Sequence, residues 1–390
     1  MPNIRRGMMA AAGAGAAGAA NTPFTQYYYG GWAHSNSKGT LGQGNTTGIS
    51  SPIQIGDHKW QYLEGAPLAN CHCLGVKPDG TLWSWGNNHL GQLGVGNTTD
   101  YSSPVQVGSL TTWLQIGLQS DAGSFAVKTD GTLWAWGFGE AGRLGDGTTV
   151  DKSSPIQIGS LTDWGDGAFS IENNNRIGDG RYWTNVIKTD GTLWAWGPQD
   201  AYKQLGDGTA TNRSSPVQIG SDTWSMVKGG GSFWVGINTA GELWGCGEND
   251  RGMLGDGTTT NRSTPVQAGS ATDWVDIGVG WNWGSAINSS GELYTWGDNR
   301  TGALGQGNLT SLSVPTQVGS LTDWKYLGSS DDSLYAVKTD GTLWWWGGAG
   351  RSPNSESVAK SSPVQVGSDT DWTFPKELGG GGFVGNSSTI

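Results

Sequence analysis

Asp130-Gly131-Thr132-Leu133-Trp134-Ala135-Trp136-Gly137 opens with two residues that tolerate positive φ and continues with two indoles spaced two apart. A two-residue Asp-Gly turn matches the twist of paired strands. Side chains two apart lie on one face of a strand, so Trp134 and Trp136 point the same way. The stretch returns at Asp79–Gly86, Asp190–Gly197, Gly241–Gly247, Gly291–Gly297 and Asp340–Gly347, with Ala240-Gly241 and Ser290-Gly291 as variants of the turn. Return at nearly fixed spacing marks a repeat architecture.

Two further markers keep the same beat. Ser103-Pro104-Val105-Gln106-Val107-Gly108 recurs with its proline at 52, 104, 155, 216, 265, 315 and 363, and a lone tryptophan recurs at 60, 113, 164, 224, 274, 324 and 372. The proline spacings are 52, 51, 61, 49, 50 and 48 residues. Loops carrying Leu-Gly, such as Gln92-Leu93-Gly94 and Arg143-Leu144-Gly145, join the Trp-Gly strand to the next proline. Each period therefore holds about four short strands, which reads as the blade of a β-propeller.

The chain ends explain each other. Phe383-Val384-Gly385-Asn386-Ser387-Ser388 aligns with 285–290, so the chain stops where the next Trp-rich strand is due, and Gln26-Tyr27-Tyr28-Tyr29-Gly30 stands where that strand belongs. Pairing the first strand with the last blade leaves no long open edge. The expected fold is all-β, a seven-bladed propeller over residues 21–390 with four-stranded blades of about 50 residues and a ring closed by the N-terminal strand. Residues 1–20 form a separate Gly/Ala-rich arm, too weakly apolar for a signal peptide. Its Ile4, Arg5, Arg6, Met8 and Met9 are candidates for docking on a partner or larger assembly.

The set of Asp-Gly-x-Leu-Trp-x-Trp-Gly, Gln-Leu-Gly and Ser-Pro-x-Gln-Val-Gly resembles the regulator of chromosome condensation repeat family across residues 21–390. The resemblance implies a seven-bladed propeller. The family's founding member is a nucleotide-exchange factor for a small nuclear GTPase and binds chromatin, while other members use the disc for diverse contacts. No exchange residue of that family carries over to a matched position here. The opening Arg5-Arg6-Gly7-Met8-Met9-Ala10 also resembles the starts of structural proteins of tailed phages.

Composition fits strands and turns: 68 Gly and 23 Trp, against only 55 charged residues. A net charge of −11 repels a phosphate backbone, so no nucleic-acid partner is expected. No apolar run approaches the roughly 18 residues of a membrane-spanning helix. Three cysteines, at 71, 73 and 246, cannot build a disulfide framework.

Eighteen of the tryptophans belong to the repeat, leaving Trp32, Trp183, Trp234, Trp281 and Trp283. Aligned blades put His72, Gly123, Trp183, Phe233, Trp283, Ser333 and Gly381 at one level, near the Leu-Gly loops and opposite the Asp-Gly turns. The largest insertion, 173–181, with Asn173, Arg176 and Arg181, falls on the same end. Together with Trp281 these residues form a candidate interaction face for a protein, glycan or receptor; the alternative is that they fill space between blades.

Cys71-His72-Cys73 lacks partners for a four-ligand zinc site. The Gly-Asp-Gly loops bring one carboxylate each, too few for calcium, and read as turns. Neighbouring Asp331 and Asp332 point to opposite faces. With no Ser-His-Asp, Cys-His or phosphate-cradling signature, the sequence reads as non-enzymatic and free of cofactors. The expectation is a structural or recognition disc, virion-borne or displayed on a cell surface as an adhesion component; the alternative is a cytoplasmic exchange-factor-like regulator of a small GTPase.

Overall fold

The computed structural model describes residues 27–30, 36, 38–47, 52–54, 60–65, 72–119, 122–165, 177–180, 182–348, 358–368, 370, 372–378 and 382–386. Among them there is no α-helix; one 3₁₀ turn spans Glu140–Gly142. The strands follow the repeat. Blade I is β3 (Tyr62–Gly65), β4 (His72–Val76), β5 (Leu82–Gly86) and β6 (Tyr101–Gln106). Blade II is β7 (Trp113–Gln119), β8 (Gly123–Lys128), β9 (Leu133–Gly137) and β10 (Lys152–Gln157). Blade III comprises β18 (Trp274–Val279), β19 (Trp283–Asn288), β20 (Leu293–Gly297) and β21 (Leu312–Gln317). Blade IV comprises β22 (Trp324–Ser329), β23 (Ser333–Lys338), β24 (Leu343–Gly347) and β25 (Lys360–Gln365). Blade V joins the chain ends: β26 (Thr373–Leu378) and β27 (Gly382–Asn386) pair with β1 (Tyr27–Gly30) and β2 (Pro52–Gln54), in the order β2-β1-β27-β26.

Between blades II and III runs one seven-stranded sheet: β11 (Ile177–Asp179), β12 (Thr184–Ile187), β13 (Thr192–Gly197), β14 (Arg213–Gly229), β15 (Phe233–Asn238), β16 (Leu243–Gly247) and β17 (Arg262–Gln267). The propeller therefore has five four-stranded blades, not the seven expected. The fusion falls where the link between two repeats is one residue shorter than in most of them. The link from the outer strand's closing glycine to the next lone tryptophan takes five steps in five repeats, as from Gly108 to Trp113 or Gly269 to Trp274; from Gly220 to Trp224 it takes four, as it does from Gly56 to Trp60, where 55–59 lie outside the described residues. The shortened link runs extended, so β14 pairs with β13 through Gln218 and Thr223 and with β15 from Trp224 onward.

Contacts between strands β3, β7, β11, β14, β18, β22 and β26 run from each to the next and return from β26 to β3, so the inner strands close a circuit. Blade V shuts it, with Tyr27 opposite Gly385 and Gly30 opposite Gly382. The outer strands carry the repeated prolines, which cannot donate to an added strand and so guard the rim.

The core sits between blades. The second ring of each aromatic-x-Trp strand, the tryptophan at 85, 136, 196, 296 and 346, is fully buried. Its indole N–H donates to a loop carbonyl of the preceding repeat: Trp136 to Gln92 at 2.9 Å, Trp196 to Arg143 at 3.0 Å, Trp346 to Ala303 at 2.8 Å. Gly94, Gly145 and Gly305 hold positive φ against these rings. One repeat departs. Position 246 is cysteine, and Trp234, directly opposite on β15, supplies the indole, packing at 5.5 Å on Trp224.

Candidate functional site

The Leu-Gly loop end is built on buried asparagines that the sequence reading passed over. Asn88 accepts from the Leu93 amide at 2.9 Å and donates to the carbonyls of Asn97 and Thr99. Asn36, Asn249 and Asn299 repeat the bracket through Leu41, Leu254 and Leu304. The signal was an asparagine five residues ahead of each leucine in four loops. The Gly-Asp-Gly turns are held the same way: Asp207 accepts from Thr209 and at 2.7 Å from Arg213 Nε, and Asp256 from Thr258 and at 2.7 Å from Arg262, so protein donors occupy these carboxylates.

Of the expected interaction face, His72, Trp183, Phe233 and Trp283 are buried, and only Trp281 is partly open. Trp283 donates its indole N–H to the Asp331 carbonyl at 3.0 Å, and a ladder crosses the sheets beside it: Gly231 N–H to Trp281 C=O, then Trp281 N–H to Asp331 C=O. These side chains hold one blade to the next. Asn173, Arg176 and Arg181, and the arm residues Ile4, Arg5, Arg6, Met8 and Met9, lie outside the described residues. Ile177–Asp179, part of the expected loop insertion, is instead strand β11, with Ile177 opposite Val186 and buried. The extra length thus falls between Trp164 and β11.

The structure joins a pair far apart in sequence. His72 Nε2 lies 2.7 Å from Ser124 Oγ, which in turn donates to the Gln92 carbonyl at 2.7 Å. With the hydroxyl proton committed to the backbone, the imidazole nitrogen is the donor. Both residues are fully buried, so the pair is a strut between blades I and II and no nucleophile. Burial pushes the Cys246 thiol far up, which makes it inert.

Charged groups gather on this end. Asp200, Asp250 and Asp332 are exposed and Glu248 is partly open on neighbouring loops with Arg251 and Arg300, around the buried Asp298. Arg300 pairs with Asp298 at 2.7 Å and Arg251 reaches the same carboxylate at 3.7 Å. Burial and then Asp250 push the Glu248 carboxyl up, opposed by the Tyr202 hydroxyl, and Glu248 in turn holds the Tyr202 phenol up. The arc carries a net negative potential over several loops.

A model of the regulator of chromosome condensation (RCC1) repeat matches residues 79–118, 130–165, 190–237, 240–287 and 290–333, more than half of the chain. The chain belongs to the RCC1 repeat family. Among its RCC1-like relatives, the ultraviolet-B receptor UVR8 of Arabidopsis thaliana is 28% identical over 222 residues, 55% of this chain and 48% of that protein. The human E3 ubiquitin-protein ligase HERC2 is 30% identical over 218 residues, 54% of this chain and 4% of that protein. The matched region thus spans about half of UVR8 and a small fraction of HERC2. The solved structure of Prp20p from Saccharomyces cerevisiae, described with its binding to Gsp1p and histones, superposes with a TM-score of 0.75 at 17% identity, covering 95% of this chain and 92% of that one. That likeness establishes the RCC1-type propeller. None of these similarities supports the virion, phage or adhesion reading.

Proposed function

We propose that this chain is a non-enzymatic, cytoplasmic protein-recognition propeller that regulates a partner docked on its Leu-Gly loop end. The carrying observation is the division of labour among its polar groups. The asparagine brackets, Gly-Asp-Gly turns and His72–Ser124 strut are spent on the frame, whereas the residues that break the repeat gather as the charged arc from Asp200 to Asp332. A rigid scaffold presenting irregular charged loops suits recognition of a protein with a basic surface.

Family membership and the likeness to Prp20p favour a sharper second reading, in which the partner is a small GTPase and docking speeds nucleotide release. The test uses the full chain against a Ran-type GTPase loaded with fluorescent GDP, and against purified histones, with Asp250→Lys/Asp332→Lys as the comparison. Accelerated GDP release, or saturable histone binding, that the double variant loses supports the proposal. Neither release nor saturable binding by the unaltered chain sinks it.

A further inference from the structure

At the opposite end, beside the Asp-Gly turns, four repeats seat a lysine of their own between two aromatic rings. Lys128 Nζ lies 3.5 Å from the ring centre of Trp134 and 5.0 Å from that of Trp113. Lys77 sits over Trp83 and Trp60, Lys188 over Trp194 and Trp164, and Lys338 over Trp344 and Trp324. In two of these seats an aspartate completes the set: Lys188 lies 3.4 Å from Asp163 and Lys338 lies 3.5 Å from Asp323. Two perpendicular rings and a carboxylate are the elements of a cation cage.

Blade III keeps the cage and lacks its cation. Trp274 and Tyr294 stand at 88° with ring centres 5.1 Å apart, the arrangement of Trp324 and Trp344 at 82° and 6.0 Å. Asp273 occupies the place of Asp163 and Asp323. The lysine position is Asn288, whose Nδ2 donates to the Glu292 carboxylate at 2.7 Å while its Oδ1 accepts from the Ser290 and Glu292 amides, leaving the seat without a cation of its own. Glu292 stands where the sister repeats have threonine and also accepts from the Tyr294 hydroxyl at 3.1 Å. Neither Asp273 nor Glu292 forms an ion pair among the described residues, Asp273 is exposed, and Glu292 and Tyr294 are partly open. The neighbouring repeat, with Trp224, Trp244, Asn238 and Glu242, has the rings and one carboxylate, but Thr223 replaces the aspartate.

We propose that the blade III seat of Trp274, Tyr294, Asp273 and Glu292 receives the ammonium of a lysine side chain presented by a protein partner. The sister repeats show the ligand's chemistry, because each fills the same seat with an ammonium from within. The incoming group lies against the two rings and gives two carboxylates the positive charge that Asn288 does not supply. The inference rests on the protein-recognition reading, but adds a second contact, on the face opposite the acidic arc.

The test is carbon-13 NMR of the ten tyrosine rings in the full chain, with Tyr294 assigned by its loss in Tyr294→Phe. The probe is N-acetyl-lysine amide, with N-acetyl-norleucine amide as the neutral control. Lysine should shift Tyr294 saturably and norleucine should not. Asn288→Lys/Ser290→Asp/Glu292→Thr rebuilds the blade IV seat with its own lysine and should abolish the shift. Glu292→Gln, a milder change, should weaken binding by about tenfold. An unmoved Tyr294, an equal response to norleucine, or an undiminished response in either variant overturns the proposal. Because the readout is a small molecule, failure to find a GTPase or histone partner leaves it unaffected.

Discussion

Trp234 and Cys246 face each other across β15 and β16, and between them they have exchanged the indole that every other Trp-x-Trp strand of the described repeats carries at its second position. Position 234 is Cys73, Ser124, Thr184, Gly284 or Leu334 in sister repeats. The indole that fills the wedge between neighbouring repeats has thus crossed from one strand to its partner with the packing on Trp224 kept.

The exchange predicts a coupled pair. Trp234→Thr opens a cavity and should cost about 3–5 kcal/mol. Cys246→Trp alone forces two indoles into one space and should cost about 1–3 kcal/mol. The double variant should return to within about 1 kcal/mol of the parent, because the ring is back where the sister repeats hold it. Urea denaturation of the four proteins measures the cycle, and additive losses would refute the exchange.

The same contact separates two glycines. Gly145 has φ +77 and a Cβ there would lie 2.7 Å from Trp196 Nε1; Gly206 has φ +86 and the first atom met is Cys246 Sγ at 3.3 Å. Both alanine variants carry the left-handed strain, but Gly145→Ala drives its methyl into the Trp196 indole, whereas at 206 the nearest indole atom, of Trp234, lies at an ordinary 3.4 Å. Gly145→Ala should be the less stable by about 1–3 kcal/mol, read as the difference between the two urea midpoints.

The Asp-Gly turns give a pH dependence. Thr132 donates from both its amide and hydroxyl to Asp130, and accepts from the Trp134 indole at 2.9 Å. Hydrogen bonds from Thr81, Thr132, Thr192 and Thr342 hold Asp79, Asp130, Asp190 and Asp340 below the usual carboxylate value. A carboxyl depressed in the folded state adds stability that is complete above the unfolded value of about 4 and is lost as pH falls through the folded value. Replacing all four by asparagine should flatten the acid limb of a plot of urea midpoint against pH. An unchanged limb would show that the turns do not set it.

Asn249 tests the loop frame. Its side chain accepts from Leu254 N and donates to the carbonyls of Thr258 and Thr260. Asn249→Ala should cost about 1–3 kcal/mol through the stranded groups. The Leu254 amide should then exchange with solvent much faster than Leu304, whose Asn299 bracket is intact.

The strand period, the Asp-Gly turns and the meeting of Tyr27–Gly30 with Gly382–Asn386 were legible because each rests on local rules: two-residue alternation, positive φ and an unpaired edge. The fused sheet was not legible, because the one-residue shortfall between Gly220 and Trp224 also stands between Gly56 and Trp60 and reads as ordinary variation. The burial of four of the proposed face residues was hidden for a different reason. An aligned tryptophan has the same letter whether it faces solvent or a neighbouring blade, and Trp183 and Trp283 face inward. The lysine cages escaped because the lysine and its two rings stand at three places in each repeat, and only the fold brings them together.

Placing β1 between β2 and β27 makes the disc a timed assembly. During synthesis every repeat from β3 to β25 can form on neighbours already made, but blade V waits for residues made more than 350 positions after its first strand. Until then β1 and β2 are a ribbon without a home, and the inner strands β3 and β26 are unmet surfaces. Truncation of the chain before β26 would therefore leave a sticky, open arc, far more harmful than the loss of two short strands alone.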